Sequence, residues 1–355
     1  MKKKDIPIID LFCGIGGLSY GFVEEGFHVV AGYDNDEKCQ YAFEKNNNAT
    51  FYLEDITKLE SYKLDKRYFD KDFRILVGCA PCQPFSSYSF KVKEKDEVKL
   101  NMLYSFSRLI KETHPTIISM ENVPQLAKED NVIFNDFCRN LEELGYFFSY
   151  QTVYCPDYGI PQTRKRLVLL ASKLGEIELI DKTHKTYKTV RDTIGLLPPI
   201  AAGETHPEDI LHRARELNDI NLRRIQNTRE GGGWKDWPSD LLLACYKKKT
   251  GKSYGSVYGR MWWDKPSPTM TTHCTGLGNG RFGHPEQDRA ITLREAALLQ
   301  TFPISYEFFK SKNSYNPSVI CKQIGNAVPP ALGRVIAKSI EKHLIHHNII
   351  QDDEA

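Results

Sequence analysis

The sequence predicts an α/β protein with a doubly wound, mostly parallel sheet and a second, smaller, irregular domain. Three observations predict it. Over about the first 175 residues, short apolar runs alternate with amphipathic stretches, the pattern of strand–helix–strand units. From about residue 183 to residue 287 the chain turns irregular and holds 12 of its 24 glycines and all four tryptophans. Helical periodicity then returns. The implied division is 1–185, 186–285 and 286–355, the last part returning to the first unit. At 355 residues and 41% hydrophobic composition, the chain is long enough for a sizeable core.

Charge and cysteine usage bound the function. With 48 basic and 46 acidic residues the formal charge is +2, so net charge does not announce nucleic acid, although a local basic groove remains compatible with it. Lys2, Lys3 and Lys4 resemble a basic leader, but the apolar run behind them breaks at Asp10. No run of about 18 apolar residues is present, so a cytoplasmic protein without a membrane span is expected. Nine scattered cysteines read as mostly reduced, buried small hydrophobes.

Taken in order, residues 6–12 read as a buried strand, 18–25 as a helix, 28–33 as a second strand and 37–46 as a second helix. Residues 75–79 and 116–120 are further short apolar strands, followed by helices over about 102–112 and 132–144. In the irregular segment, basic residues interleave with aromatics, as in Tyr246-Lys247-Lys248-Lys249. That composition suits loops reaching a partner, or a glycine-rich insert with its own small core. Thr292 and Glu295 form a capping-box pair opening a helix over 292–300, and a last amphipathic helix covers 331–344.

The turn Asp10-Leu11-Phe12-Cys13-Gly14-Ile15-Gly16-Gly17 leaves a strand and opens a helix. Its glycines permit a tight turn and let a ligand approach main-chain N–H groups. Asp34, about 20 residues beyond Gly14, ends the second strand, where an acid suits the hydroxyls of a ribose. Ser19 stands where a dinucleotide fingerprint has its third glycine, which tilts the turn away from NAD towards an adenosylmethionine site. A turn with no ligand also fits. Asp55, after a third strand, suits the adenine amino group or a turn cap.

Gly78-Cys79-Ala80-Pro81-Cys82-Gln83-Pro84-Phe85-Ser86 follows a buried strand, at the sheet edge where such folds bind ligands. Two prolines stiffen the loop around Cys82, as nucleophilic catalysis requires. Cys79 and Cys82 also form a C-x-x-C pair, but no second pair completes four zinc ligands, and no metal is expected. Strand alternation points Cys79 away from the site, as a buried structural cysteine. Glu121 ends another strand at the same edge, partly desolvated and able to donate to a ring nitrogen; a cap or salt-bridge role competes. Gln162, Arg164 and Arg166 share one face if their segment is a strand. That face would aim at something acidic or at base edges, or form an exposed basic edge.

Together these segments resemble the DNA (cytosine-5)-methyltransferase family. The glycine turn, Pro81-Cys82-Gln83, Glu121-Asn122-Val123, Gln162-x-Arg164-x-Arg166 and Gln323-Ile324-Gly325-Asn326-Ala327-Val328-Pro329-Pro330 follow the family's order, and Arg294 to Pro303 resembles its helical motif before the last. The likeness covers about 6–175 and 286–345; the stretch between is expected of a variable target-recognition domain.

The resemblance implies S-adenosylmethionine held by Phe12, Gly14, Gly16, Gly17, Asp34, Asn35, Asp55, Ile56, Pro81 and Asn326. It implies Cys82 as nucleophile on C6 of a flipped cytosine, Glu121 on N3 and the exocyclic amine, and Arg164 and Arg166 steadying the base. Asn35 replaces a large apolar residue common in the family, so stacking on the adenine is expected to be weaker. The charged loop around Lys91 to Lys99 is expected to close on DNA.

The resemblance also implies double-stranded DNA as partner, a monomer, and pairing with a restriction endonuclease. A tRNA cytosine-5 methyltransferase on the same fold is the alternative. A non-enzymatic DNA-binding relative or an NAD-type oxidoreductase is a third reading, against which the full set of Cys82, Glu121 and arginines argues.

Overall fold

The structure, a computed structural model, describes residues 1–69, 71–81, 96–128, 130–248 and 255–351, with the backbone alone for 96–101. Five strands, β1 (Pro7–Leu11), β2 (His28–Asp34), β3 (Thr50–Leu53), β4 (Ile75–Gly78) and β5 (Ile117–Asn122), alternate with helices α1 (Gly17–Glu24), α2 (Gln40–Asn47), α3 (Ser61–Tyr68) and α4 (Asp96–Thr113). After α5 (Val132–Glu143) come β6 (Phe147–Tyr154) and β7 (Lys165–Ser172). The sheet order is β3-β2-β1-β4-β5-β7-β6. The first five strands run parallel; β7 enters antiparallel between β5 and β6.

The inner strands are apolar on both faces because helices cover both. Along β1, Ile8 joins Phe22 and Phe43 beneath α1 and α2 in one core, while Ile9 and Leu11 join Leu64 and Phe106 beneath α3 and α4 in the other. The order reverses direction between β1 and β4, so their carboxyl ends splay into a crevice. Cys79 N–H bonds Leu11 O at 3.3 Å and sets the floor of that crevice.

The middle segment contains α6 (Val190–Ile194), the small pair β8 (Thr205–His206) and β9 (Asp209–Arg213), and α7 (Asp219–Gln226). Its composition suited loops reaching a partner or an insert with its own small core, and Trp234, Trp237 and Trp263 are buried. Trp234 stacks on Tyr246 with centroids 4.6 Å apart. Trp262 is half-buried, with Lys265 and Arg281 each 4.5 Å from its ring centroid. These rings build small cores that hold the loops, so Lys247 and Lys248, both exposed, rather than the indoles, face outward.

The chain returns through α8 (Leu293–Leu299), α9 (Pro317–Asn326) and α10 (Pro330–His346). The expected capping box opens α8: Thr292 Oγ1 accepts from Glu295 N, and Glu295 accepts from Thr292 N. Glu295 also takes a bidentate pair from Arg289 at 2.7 and 2.8 Å, both side chains fully buried. α10 lies directly on α1, where a Cβ at Gly21 would come within 2.4 Å of Arg334 N; only glycine allows that approach. No helix among the described residues is long and apolar enough to cross a membrane. The eight described cysteines are all free thiols, and the described residues hold no cluster of three or more metal-ligating side chains.

Candidate active site

A cavity of about 380 Å³ opens at the crevice between β1 and β4. It brings together Phe12, Gly14, Gly17, Asp34, Asn35, Asp55, Ile56, Pro81, Glu121, Arg164, Arg166 and Asn326, residues singled out from seven separate sequence segments. Gly16 does not line it. Gly16 takes φ +85°, and a Cβ there would meet Asn47 Nδ2 at 2.2 Å, so its work is the close packing of the turn on α2. Cys82 lies outside the described residues, as does most of the charged loop around Lys91 to Lys99; Pro81, its chain neighbour, is on the wall.

The floor of the turn is acidic. Asp34 accepts from Gly14 N at 2.8 Å and Asp36 N at 2.9 Å, which ties β2 to the glycine turn. Burial pushes its carboxyl above the usual range. Beneath it, Asp10 is buried and accepts from Ser19 Oγ at 2.6 Å. Burial raises the Asp10 carboxyl to about 7. The hydroxyl at the missing-glycine position is therefore a partner for this acid, a role sequence reasoning did not assign. The signal was Asp10 itself, a charge inside an apolar run. Phe12 takes φ +60°, an uncommon conformation for a bulky side chain, and half-buried it forms one wall. Asp55 accepts from Thr57 N and Oγ1, which lowers its pKa; it caps its turn and lines the cavity at once.

Glu121 sits at the inner end of β5, 2% exposed. Its Oε2 accepts from Cys79 Sγ at 2.8 Å. Its Oε1 lies 3.0 Å from Arg166 Nε as an ion pair, but off the N–H axis, and has no hydrogen-bond donor among the described residues. Cys79 thus faces the cavity, contrary to the expectation from strand alternation. The reason is that β4 ends at Gly78, one residue too early for the alternation to apply. Burial, then Glu121, holds its thiol well above the ordinary range, so it is a proton donor to the carboxylate. Asn122, also missed, donates to Ala80 O at 3.0 Å and pins the Pro81 loop to β5.

The Gln162–Arg166 segment departs from expectation. Gln162 and Arg164 precede β7 and are buried, and β7 is an inner strand, not an exposed edge. Gln162 reaches neither acid nor open cavity: its amide donates to Leu299 O and Gln300 Oε1 and accepts from Met270 N. Arg164 donates to Met270 O and Ala327 O, with Nε left without a partner among the described residues. Burial, then Arg166, lowers it to about 9.

Sheet order and switch-point cavity define an S-adenosylmethionine-dependent methyltransferase fold. The fold is shared by the solved structure of a prophage-encoded chain from E. coli, assigned as a DNA modification methyltransferase, at TM-score 0.74 and 22% identity over 96% of this chain and 99% of that one. Dnmt2 of S. pombe follows at 0.59 and 18%, over 95% and 99%. The chain belongs to the C-5 cytosine-specific DNA methylase family, whose profile matches residues 6–342; it is an enzyme, a DNA (cytosine-5)-methyltransferase. It is 54% identical to the type II methylase M.HgiDII of Herpetosiphon aurantiacus over 95% of both chains. It is 30% identical to the type II methyltransferase M1.HphI of Haemophilus parahaemolyticus over 95% of this chain and 87% of the relative.

Proposed function

We propose that the chain methylates C5 of a cytosine turned out of duplex DNA into this cavity, with S-adenosylmethionine as donor and a transient bond from Cys82 to C6. The observation that carries the reading is Glu121. It is a buried carboxylate with one oxygen that has no hydrogen-bond donor among the described residues, in the same cavity as Asp34, Asp55 and Asn326. A buried acceptor left open awaits a ligand donor, and the edge of cytosine, with its exocyclic amine, supplies one.

The residues present fit S-adenosylmethionine. Asp34 and Asp55 offer acceptors that would take ribose hydroxyls and an adenine amine, Phe12, Ile56 and Pro81 offer apolar walls, and Asn326 would meet the amino-acid end. A cavity of about 380 Å³ suits a small organic ligand. Asn35 is exposed at the rim and gives little stacking. When bound, S-adenosylmethionine supplies the electrophilic methyl that C5 acquires.

The chain's own residues make C5 reactive. Cys82 adds as thiolate to C6; the C5=C6 electron pair moves towards N3, where Glu121 and a shared proton hold the charge. Arg166 keeps Glu121 in place and adds positive potential. Once C5 carries the methyl, a base removes the C5 proton, the double bond re-forms and the thiolate leaves. The middle segment, about 186–285, would supply phosphate and base contacts to the duplex, between a catalytic part at 1–185 and its return at 286–355. The type II names of the relatives suit a protective role beside a restriction endonuclease, and the protein is read as a monomer that works in the cytoplasm.

The test is Cys82→Ser. Labelled methyl transfer to duplex DNA is expected to vanish, while wild-type protein forms a denaturant-resistant adduct with duplex carrying 5-fluorocytosine. Near-normal turnover by Cys82→Ser overturns the mechanism. Preferential labelling of total tRNA over duplex DNA replaces the substrate.

A further inference from the structure

Behind the cavity wall runs a closed ring of five hydrogen bonds. Met270 N donates to Gln162 Oε1 at 2.8 Å. Gln162 Nε2 donates to Gln300 Oε1 at 2.7 Å, and Gln300 Nε2 donates to Ala327 O at 2.6 Å. Arg164 donates to the same Ala327 O at 3.4 Å and to Met270 O at 3.2 Å, which closes the ring. Gln300 is fully buried just past α8 and does not line the cavity, whereas Arg164, Asn326 and Ala327 do.

We infer that Gln300 is a positioning residue for the methyl-transfer site: by holding the Ala327 carbonyl it sets Asn326 and Arg164 in register with the cavity. The inference rests on reading that cavity as the S-adenosylmethionine site. Its position demands one group that accepts on one atom and donates on the other. An amide does both; a carboxylate only accepts, and a thioether of similar volume does neither usefully. The two arms of the ring come from parts of the chain far apart in sequence, the β7 entry and the α9–α10 turn, so no local hydrogen bond substitutes for Gln300.

Gln300→Glu carries an internal control. As a neutral acid its carbonyl oxygen accepts from Gln162 and its O–H donates to Ala327 O. As a carboxylate it has no proton to give and sets a negative charge against that carbonyl. Burial raises such a carboxyl's pKa and the Arg164 guanidinium on the same carbonyl lowers it; raising the pH through its titration switches off one bond.

The experiment measures S-adenosylhomocysteine binding by calorimetry at room temperature from about pH 5 to about pH 9, with thermal melts at each pH. Wild type, Gln300→Glu and Gln300→Met are compared. Relative to wild type, Gln300→Glu is expected to bind equally at the acid end and about tenfold more weakly at the alkaline end. Gln300→Met is expected to be weakened by about that factor throughout. Wild-type affinity in both variants at every pH, with only the melting temperature lowered, shows Gln300 to be merely structural and overturns the inference. Should Gln300→Glu fail to fold, Gln300→Met decides alone. Asp55→Ala separates the two readings. If wild type binds, Asp55→Ala is weakened and the Gln300 variants are not, only the positioning role falls. If wild type does not bind, or Asp55→Ala binds normally, the cavity reading falls and takes this inference with it.

Discussion

Arg166 Nε stands 3.0 Å from Glu121 Oε1 without aligning a proton on it. The guanidinium supplies charge while leaving that oxygen's hydrogen-bonding capacity unspent, and the Cys79 thiol occupies the other oxygen. One carboxylate is thus half anchored and half available. Glu121→Gln removes the charge Arg166 faces and can turn an N–H towards the cytosine amine. Turnover is expected to fall about 10²- to 10⁴-fold, with S-adenosylhomocysteine affinity nearly unchanged. Single-turnover methylation and calorimetry measure the two; wild-type turnover would remove Glu121 from the chemistry.

Two cysteines share the Gly78–Ser86 loop, and only one is expected to be reactive. Cys79 is held as a neutral thiol by burial and by Glu121. Cys79→Ala should cost about one hydrogen bond, on the order of 1 kcal/mol, and keep turnover within about tenfold. Iodoacetamide at neutral pH should leave Cys79 unmodified in peptide maps. Rapid alkylation there, or loss of all turnover in Cys79→Ala, contradicts the assignment.

Asp10 makes stability depend on pH in a definite direction. Its carboxyl sits at about 7 in the folded chain against an ordinary 3.8, because of burial. The folded state therefore binds this proton more tightly than the unfolded one. The contribution is complete below about 3.8 and disappears as pH climbs to about 7. Asp10→Asn keeps an acceptor for Ser19 and cannot ionise. It should match wild type near pH 4 and exceed it at pH 8 by on the order of 1–3 kcal/mol. Denaturant melts at the two pH values check the sign.

The Arg289–Glu295 pair ties the chain just past the middle segment to α8 in the dry interior. Glu295→Ala strands a fully buried guanidinium and removes the α8 capping box, so a loss of about 3–5 kcal/mol is expected. Combining it with Arg289→Met should cost less than the single change, because no charge is then left alone. Equilibrium unfolding of both variants tests this; additive losses would show that the two side chains are not coupled.

The elements around the site were legible where local chemistry is distinctive. A glycine turn after an apolar run, an acid ending a strand and a threonine three residues before a glutamate each point to one geometry. Pairing partners were not legible. The sequence of β7 says strand, but nothing in it says that β7 enters antiparallel between β5 and β6. β6, with only Val153 buried along the sheet edge, lacks a buried run to mark it. Cys79 was misplaced because strand periodicity was carried one residue past Gly78, where the chain has already turned. Gln162 and Gln300 have no local signature, since they bond each other across 138 residues and Gln300 reaches Ala327 in another element.

The contact of α10 with α1 at Gly21 has a consequence for biosynthesis. The first helix emerges from the ribosome early, yet the surface that shields it is translated last. Until α10 is released, the Gly21 face of α1 stays uncovered, a transiently exposed surface of the kind that makes unfinished chains prone to aggregate. Ribosome-stalled chains halted before residue 330 should accordingly be protease-sensitive across 17–24.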